Sequence, residues 1–551
     1  MVYNVFTFLV GGKAGEGVKK AGSVAAHVFS SMGRHVFQMD DYMSLIRGGH
    51  NFSVISSAIV PVTSQYSKAN VSVNFDKISY EKHSNDLINN GLMIYNSDDI
   101  EHVQGIGIPF SSEAKKYPLK NLMFGVGAVA VLSAAIGFDK KRMNQIIRDE
   151  YPRGIEDNIA YADTIYDMIY PTCYNKFSLI KGDIKRPIAS GNEAISFGAI
   201  AGGLDIYYAY PMTPASSILH FLASYAEDFN LAVVHPESEI AVINMALGSA
   251  FAGAKSMVGT SGGGFALMAE GISLAGITET PILIVLSMRP GPATGVATYT
   301  EQGDLGFALS VGHGEFLRIV ASPGTIEEAF YLTSEMLDLV WKFQTPGILL
   351  TEKHLSESSM TVDLDIQKAK WAQPKTHDGG NYFRYLDTDD GISPLLFPPN
   401  KEVIKYNSCE HDELGITTEE PEIIEKMHNK RKKKIDALIN HLKILNTVNI
   451  YGSGKPIIFT YGSTTMSVLE ALKYGKINAT VIQPIYLNPL PVWILSEYKE
   501  ERSIVVEMSS MGQFSHLLQE KVGINFYSEF RKYDGRPFDP IELSNKLMEV
   551  I

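Results

Sequence analysis

Short, nearly continuous apolar runs alternate with glycine- and alanine-rich stretches through the middle of the chain. The stretches at 239–254 and 265–275 predict helices. Strands that are apolar on both faces and alternate with helices are typical of a parallel sheet that helices cover. This block therefore predicts an α/β domain, with buried strands at 204–210, 232–235, 256–260, 281–287 and 347–351.

The first part of the chain shows a similar alternation. A strand at 3–10 is followed by a glycine turn, a helix at 18–32 and a second strand near 35–38. This βαβ order predicts a second parallel sheet that helices cover.

The last hundred residues repeat the order on a smaller scale. The final helix has a clear predicted start, because Asp539, Pro540 and Glu542 are favoured at the N-cap, the first helical position and the third. The fold class is therefore α/β with three parallel-sheet domains. Strands of the third are predicted at 456–461, 479–485 and 503–507.

The composition is that of a folded protein: 551 residues, 45% hydrophobic and 20% charged. At about 150 residues per domain, the length gives three or four domains. There are 48 basic and 61 acidic residues, and the net charge of −13 disfavours nucleic acid or an anionic membrane as a partner. With two cysteines, Cys173 and Cys409, the chain has too few to hold a four-cysteine zinc site or an iron–sulfur cluster.

Residues 121–138 form the most apolar stretch and are near the minimum length of a membrane span. Because they are rich in glycine and alanine and stand alone, we expect a buried helix. The N-terminus has no basic leader and no small-residue cleavage site, so we expect a cytoplasmic protein.

A long connection at 374–422 has little periodicity, and a highly charged helix is predicted after it at 421–445. Connections of this length are often functional. The helix carries Lys430-Arg-Lys-Lys-Lys434. A solvated helix face is the first interpretation of this basic run, and an anchor for a phosphate-bearing ligand is the alternative.

Gly11-Gly-Lys-Ala-Gly-Glu-Gly17 lies between a predicted strand and a predicted helix. Backbone N–H groups at such a turn can bind phosphate. The spacing fits neither the dinucleotide fingerprint nor the Walker A loop, since Val18 and Lys19 stand where Lys and Ser/Thr are required. Two interpretations stay open: a nucleotide or coenzyme A site, as in a nucleotide-binding regulatory protein, and a tight turn at a subunit interface.

Gly259-Thr-Ser261-Gly-Gly263 matches the G-x-S-x-G of a nucleophile elbow and has the required strand–turn–helix setting. Asp304 and His313 follow in the chain order of a hydrolase triad. A serine hydrolase is therefore an alternative function. Small residues after a strand are equally suited to the close approach of a cofactor ring.

Three strand ends carry side chains that could meet in one crevice. Thr213 lies in Tyr210-Pro-Met-Thr-Pro214, where Pro211 and Pro214 restrict the backbone on both sides of its hydroxyl. Glu239 follows the next strand, and Arg289 follows a later one. Open α/β sheets bind their ligands at the carboxyl ends of their strands. A hydroxyl, a carboxylate and a guanidinium could thus converge there.

These motifs, in this order, resemble the α subunit of the 2-oxoacid:ferredoxin oxidoreductases, in the arrangement with the γ domain fused at the N-terminus. Met212 and Ala293 stand where the family has Ile and Ser. The resemblance rests on Tyr210-Pro-Met-Thr-Pro214, Ser238-Glu239, Arg289-Pro-Gly-Pro-Ala-Thr-Gly295, Thr300-Glu-Gln-Gly-Asp304, Glu410-His-Asp-Glu-Leu-Gly415, Tyr533-Asp-Gly-Arg-Pro-Phe538, the glycines of 11–17 and Arg47-Gly-Gly49.

The resemblance implies thiamine diphosphate chemistry. It assigns Glu239 to the ring nitrogen N1′ of the aminopyrimidine, where a carboxyl group promotes the reactive tautomer of the cofactor. It assigns Thr213 to the oxygens of the 2-oxoacid and Arg289 to its carboxylate. Pro211, Thr213 and Glu239 would contact the cofactor, and catalysis would depend on Glu239, Thr213 and Arg289.

Thiamine enzymes normally hold the diphosphate through Mg²⁺ with a G-D-G segment and a later Asn, and this chain has no such pair. In the family the β subunit supplies it, together with a [4Fe–4S] cluster. The resemblance therefore implies a site shared with a β subunit, in an αβ or (αβ)2 complex, with ferredoxin as electron acceptor and coenzyme A as co-substrate. Alone, the chain should be inactive.

The resemblance also names the domains. It makes the second a thiamine-diphosphate pyrimidine-binding domain and the third a transketolase C-terminal-like domain. The substrate expectation is 2-oxoglutarate or a broad range that includes pyruvate, and the segment 410–415 could be a mobile loop over the site. The expected divisions are 1–180 for the γ-type domain, 188–365 for the pyrimidine-binding domain, 366–445 for the connection and charged helix, and 450–551 for the last domain.

Overall fold

A computed structural model describes residues 5–44 and 48–551, so Arg47 of the Arg-Gly-Gly motif and the start of the first predicted strand lie outside the described residues. The strands are β1 (Phe6–Ala14), β2 (His35–Asp41), β3 (Gly48–Ala58), β4 (Ala69–Asn74), β5 (Leu87–Asn96), β6 (Ile106–Ile108), β7 (Ile188–Ser190), β8 (Ile206–Tyr208), β9 (Ala232–Val234), β10 (Ser256–Thr260), β11 (Ile282–Met288), β12 (Ile319–Ala321), β13 (Pro346–Glu352), β14 (Ser359–Thr361), β15 (Val448–Tyr451), β16 (Ile457–Phe459), β17 (Thr480–Pro484), β18 (Tyr486–Asn488), β19 (Ser503–Glu507) and β20 (Phe526–Arg531).

The helices are α1 (Val18–Ser31), α2 (Lys77–His83), α3 (Phe110–Ala114), α4 (Phe124–Ala135), α5 (Lys140–Glu150), α6 (Ile155–Cys173), α7 (Gly191–Ala201), α8 (Ser216–Ser224), α9 (Glu239–Phe251), α10 (Gly262–Thr278), α11 (Leu305–Ser310), α12 (Ile326–Phe343), α13 (Lys353–Glu357), α14 (Pro421–Leu442), α15 (Thr464–Gly475), α16 (Val492–Leu495), α17 (Gln513–Val522) and α18 (Pro540–Val550). Short 3-10 turns span Lys120–Met123, Ile366–Lys368 and Ser496–Tyr498.

The central sheet has the strand order β18-β12-β13-β11-β10-β8-β9. Every pairing between β12 and β9 is parallel, as the apolar runs predict, and β18 joins antiparallel at the edge. The predicted strands and the helices α9 and α10 are confirmed. Because the strands are parallel, β8, β9, β10 and β11 all end at the same edge, and this edge positions the candidate site.

The first sheet is mixed, with the order β6-β5-β4-β1-β3-β2-β14-β7. One half is parallel, but β3 inserts between β1 and β2 and runs antiparallel to both. The sequence predicts a parallel sheet here, and the antiparallel strand β3 was not foreseen, because a hydrophobic pattern carries no direction and the connection between β2 and β3 is short enough for an antiparallel pair. The α/β class is confirmed.

The third sheet has the order β15-β17-β16-β19-β20, and its predicted strands are confirmed. The pairings from β17 to β20 are parallel and β15 joins antiparallel. The Asp539 carboxylate accepts hydrogen bonds from the N–H groups of Ile541 and Glu542, at 2.8 and 3.1 Å, so the predicted start of the last helix is also confirmed.

Strands cross between the three parts of the chain. β7 and β14 extend the first sheet, and β18 extends the central one. These exchanged strands join the three parts of the chain. The domain boundaries at 180, 365 and 450 stay predictions.

The apolar stretch at 121–138 contains α4, and every residue of this helix is buried in the first part of the molecule. The expected buried helix is confirmed, and within the described residues no helix is long and apolar enough to cross a membrane.

Candidate active site at the edge of the central sheet

Glu239 lies at the start of α9, directly after the N-cap residue Ser238, whose hydroxyl accepts from the Ala241 N–H at 3.4 Å. The side chain is only 4% exposed, yet Oε1 has no hydrogen-bond partner among the described residues. Buried polar atoms in proteins are nearly always hydrogen-bonded. The fold therefore does not use the Glu239 carboxylate for a hydrogen bond.

The first turn of α10 passes directly beside this carboxylate. A Cβ placed on Gly264 would lie 2.6 Å from Glu239 Oε1 and 2.2 Å from Thr260 Oγ1, which is closer than atoms can pack. Glycine is required at this position because it allows the helix to approach the carboxylate. The next residue toward the N-terminus, Gly263, is exposed and faces open space.

Thr213 and Arg289 lie in direct contact. Arg289 Nη1 donates a hydrogen bond to the backbone carbonyl of Thr213 at 2.9 Å, which joins the end of β11 to the segment after β8. Burial lowers the pKa of Arg289, and Asp304 opposes this shift. Among the described residues no other hydrogen bond is made by the guanidinium, so its remaining N–H groups can bind an anion.

Two further polar groups lie at the N-terminus of α10. Ser261 is fully buried and its Oγ has no partner in the described part of the chain. A Cβ on Gly262 would lie 2.6 Å from Asp304 Oδ2, so the Asp304 carboxyl covers the first residue of the helix. Burial raises the pKa of Asp304 to about 6, against the effect of Arg289.

Sequence reasoning places Thr213, Glu239 and Arg289 at strand ends on one edge of the sheet. Sequence reasoning considers Asp304 only as the acid of a hydrolase triad. It does not foresee that the Asp304 carboxyl covers Gly262 at the start of α10. Two sequence features could have indicated this contact: the run Gly262-Gly-Gly264 and the segment that ends in Asp304. Pro211 is exposed and Thr213 half-buried beside this edge.

The hydrolase alternative is wrong for this chain. The His313 N–H donates to Ser273 Oγ at 2.8 Å, well along α10 from Ser261. Twelve residues of α-helix separate the two serines, or about 18 Å. A triad base must lie within hydrogen-bond reach of its nucleophile, so these three residues cannot act together.

The glycine turn after β1 is closely packed at Gly12 and Gly17 and open at Gly15. Glu16 Oε2 accepts the Lys13 N–H at 2.7 Å and lies 2.5 Å from the position of a Cβ on Gly12. A Cβ on Gly125 of α4 would lie 2.5 Å from the Gly17 carbonyl oxygen, so α1 and α4 pack closely there. These contacts favour a tight turn over a nucleotide or coenzyme A site.

The segment 410–415 is fixed to α14. Arg431 pairs with both carboxylate oxygens of Glu410, at 3.0 and 2.6 Å, and Lys426 Nζ lies 2.9 Å from Glu413 Oε2. The ring of His411 packs on Tyr385 at a centroid distance of 3.9 Å. These contacts give the segment a structural role and argue against a mobile loop.

The basic run of α14 is only partly a solvated face. Lys430 and Lys434 are buried and both pair with Glu279, the residue after α10. Arg384 donates to the backbone carbonyls of Thr278 and Glu279, at 3.0 and 2.8 Å. The expectation of solvation is therefore wrong for Lys430 and Lys434, which point inward one turn apart, and a phosphate anchor is not needed to explain them.

The comparisons with known proteins agree with the motifs. A family described as "Pyruvate flavodoxin/ferredoxin oxidoreductase, thiamine diP-bdg" matches residues 197–430, and one described as "Pyruvate ferredoxin/flavodoxin oxidoreductase" matches residues 7–168. The 2-oxoacid:ferredoxin oxidoreductase subunit alpha of Sulfolobus sp is 28% identical and is aligned over 99% of this chain and 97% of that protein.

A solved structure of 2-oxoglutarate:ferredoxin oxidoreductase from Magnetococcus marinus, with 2-oxoglutarate, coenzyme A and succinyl-CoA bound, is also similar. It superposes with a TM-score of 0.90 at 28% identity and covers 99% of both chains. The 2-oxoglutarate synthase subunit KorA of Archaeoglobus fulgidus is 30% identical, over 59% of this chain and 87% of the relative. On this evidence the chain belongs to the family of 2-oxoacid:ferredoxin oxidoreductase α subunits.

Proposed function

We propose that this chain supplies the pyrimidine half of a thiamine diphosphate site and that, with a β subunit, it decarboxylates 2-oxoacids oxidatively to acyl-CoA. The division into a γ-type, a pyrimidine-binding and a transketolase C-terminal-like domain belongs to the same proposal. The observation that carries it is the carboxylate of Glu239, which is only 4% exposed at the start of α9 and has no hydrogen-bond partner among the described residues.

The residues present fit the pyrimidine half of the cofactor. Neither carboxylate oxygen of Glu239 has a hydrogen-bond partner among the described residues, and Oε1 is buried against Gly264 at the start of α10. Thiamine diphosphate, when bound, supplies an acidic carbon that adds to the 2-oxo group and accepts the electron pair left by decarboxylation. Glu239 would bind the ring nitrogen N1′ of the aminopyrimidine, and Pro211 and Thr213 would contact the cofactor from the segment after β8.

Thr213 and Arg289 position the substrate. Because one N–H of Arg289 is fixed on the Thr213 carbonyl, the rest of the guanidinium is held in one orientation. A carboxylate can then accept two parallel hydrogen bonds, the arrangement in which arginine binds anions most strongly. The Thr213 hydroxyl donates to an oxygen of the same substrate.

A β subunit completes the site. The surface of α9 and α10 around Glu239 exposes Ile240, Met245 and Leu267, at 54%, 46% and 50% of their area. Exposed apolar side chains next to a site favour a protein interface. The partner supplies Mg²⁺ for the diphosphate and a [4Fe–4S] cluster, and ferredoxin accepts the electrons from an αβ or (αβ)2 complex.

The preferred substrate is 2-oxoglutarate, with pyruvate as the second candidate and coenzyme A as acyl acceptor. Support for this order comes from the names of the Archaeoglobus and Magnetococcus proteins. The carboxylate that all 2-oxoacids share would bind Arg289, so this contact alone does not select between them.

Coexpression with its β subunit tests the proposal. The purified complex should contain thiamine diphosphate and should reduce ferredoxin only when both a 2-oxoacid and coenzyme A are present, while the α chain alone should be inactive. A complex that assembles but contains no thiamine diphosphate, or that reduces no ferredoxin with any 2-oxoacid, would refute it.

A further inference from the structure

The motif Tyr533–Phe538 follows the last strand of the third sheet and contacts the segment after Arg289. Its central residue, Gly535, has a φ of 79°, in the left-handed region that favours glycine. A Cβ there would lie 3.2 Å from Tyr299 Cβ and 3.8 Å from Pro290 Cγ. The motif therefore lies against both ends of the segment that joins Arg289 to Tyr299.

The turn that follows Arg289 is exposed, and it is held mainly at its base. The Val296 N–H donates to the Pro290 carbonyl at 3.0 Å, which closes the turn on itself. Beyond the turn, the Thr300 N–H donates to the Gly535 carbonyl at 3.1 Å. The third sheet thus fixes the place where this segment leaves and re-enters the fold.

Arg536, the next residue of the motif, joins this base to the first sheet. Its guanidinium lies over the Tyr299 ring, with 3.7 Å between Cζ and the ring centroid. Its Nε lies 3.0 Å from Oδ2 of the buried Asp41, the last residue of β2. A planar guanidinium can stack on a ring and pair with a carboxylate at once, which an ammonium cannot. Arg536 therefore connects the segment after Arg289 to two other parts of the chain.

We propose that Arg536 is a positioning residue, whose contacts with Tyr299 and Asp41 fix the segment after Arg289 and so align the Arg289 guanidinium with the substrate carboxylate. This inference rests on the proposed function and adds a residue to it that acts through Arg289. A bidentate pair between arginine and a carboxylate depends on the orientation of both groups. A base that shifts therefore weakens this pair without removing the charge.

Arg536→Met tests the proposal in the αβ complex, since it removes both contacts and keeps much of the length of the side chain. The KM for the 2-oxoacid should rise about tenfold, because a small misplacement of a binding group has large effects. The turnover number should change by less than about threefold, as expected when substrate binding alone is weakened. The content of thiamine diphosphate should equal that of the wild type.

A double-mutant cycle separates positioning from a general effect on the fold. If Arg536 acts through Arg289, Arg536→Met should cause no further loss of kcat/KM in a complex that already carries Arg289→Ala. Losses that multiply in the double variant would show that Arg536 acts independently of Arg289, and they would overturn the proposal.

Arg502→Met is the matched control. Arg502 also lies over a tyrosine ring, that of Tyr527, at 4.1 Å, but beside the amino ends of β19 and β20, at the opposite edge of the third sheet. This variant should keep the wild-type KM. Tyr299→Phe keeps the ring under Arg536 and should keep the wild-type KM as well, whereas Tyr299→Leu should raise it as Arg536→Met does.

A wild-type KM in Arg536→Met or in Tyr299→Leu, or an equal rise in Arg502→Met, would overturn the role of Arg536 and leave the enzyme assignment intact. If Arg536→Met does not assemble with the β subunit, the comparison of Tyr299→Leu with Tyr299→Phe decides. A wild-type complex without 2-oxoacid turnover refutes the proposed function itself, and the inference with it.

Discussion

At the residue scale, the candidate site is marked by atoms that have no partner inside the protein. Glu239 Oε1 and Ser261 Oγ are buried and unpaired among the described residues. Leaving a buried polar atom unsatisfied costs about 1–3 kcal/mol. The two atoms therefore mark the end of β10 and the start of α9 as a place where the fold is not optimised for its own stability.

Gly264→Ala tests the close contact beside Glu239. The added Cβ would overlap Glu239 Oε1 and Thr260 Oγ1, so the carboxylate must move by a few tenths of an ångström or more. Misplacing a catalytic group by about 1 Å can cost about 100-fold in rate. We expect turnover of the αβ complex to fall by tenfold or more, as measured by ferredoxin reduction.

Gly263→Ala is the control for this substitution. It adds the same methyl group one residue earlier in α10, where nothing lies within 4 Å. Its turnover should match the wild type. Equal activity of the two variants would show that the position of Glu239 does not depend on Gly264.

At the scale of elements, α14 shows what a sequence pattern cannot reveal. Its basic run resembles a solvated face, yet Lys430 and Lys434 are buried against Glu279, which lies 151 residues earlier than Lys430. Three buried cations surround the Glu279 carboxylate: Lys430, Lys434 and Arg384. A partner so distant in sequence is found only in the folded structure.

This cluster predicts a pH dependence of stability. Burial lowers the pKa of Lys434 from 10.5 to about 7, although Glu279 opposes the shift. Between these two values the unfolded chain binds more protons than the folded one, so the free energy of unfolding rises with pH. The penalty is fully present below pH 7 and is relieved as pH rises toward 10.

Lys434→Met should abolish this contribution, which is at most about 1.4 kcal/mol per pH unit. Thermal unfolding midpoints measured from pH 7 to 9.5 should rise less steeply in the variant than in the wild type. Lys432→Met, on the exposed side of the same helix, should keep the wild-type slope. Identical slopes in all three proteins would contradict a buried, titrating Lys434.

The sequence predicts elements best where burial dominates. β10 and β19 are predicted at their observed bounds, and all five residues of each strand are buried. β7, β14 and β18 have three residues each, too few to form a pattern, and they are the strands that cross between sheets. The antiparallel insertion of β3 was missed because strand direction depends on pairing.

At the scale of the whole molecule, the site depends on the order of the strands in the central sheet. Sequence motifs identified Thr213, Glu239 and Arg289, but the contact of Arg289 with the Thr213 carbonyl spans 76 residues and depends on the sheet order.

Leu267→Glu tests the partner surface. Leu267 is half exposed in the α chain, so a charged side chain should not unfold it but should block a partner that covers α10. We expect the variant to purify without the β subunit, as judged by size-exclusion chromatography of the coexpressed pair.

Ile366→Glu provides the comparison, since Ile366 is 70% exposed and lies in the connection after the central sheet, away from α9 and α10. This variant should assemble normally. Normal assembly of Leu267→Glu would place the β subunit elsewhere.

The central claim is that Glu239 activates thiamine diphosphate, and the most direct measurement is hydrogen–deuterium exchange at the thiazolium C2 of the bound cofactor. NMR of quenched samples of the αβ complex should show exchange at least 100-fold slower in Glu239→Gln than in the wild type, with cofactor content unchanged. Exchange at the wild-type rate in a fully loaded Glu239→Gln complex would contradict the account.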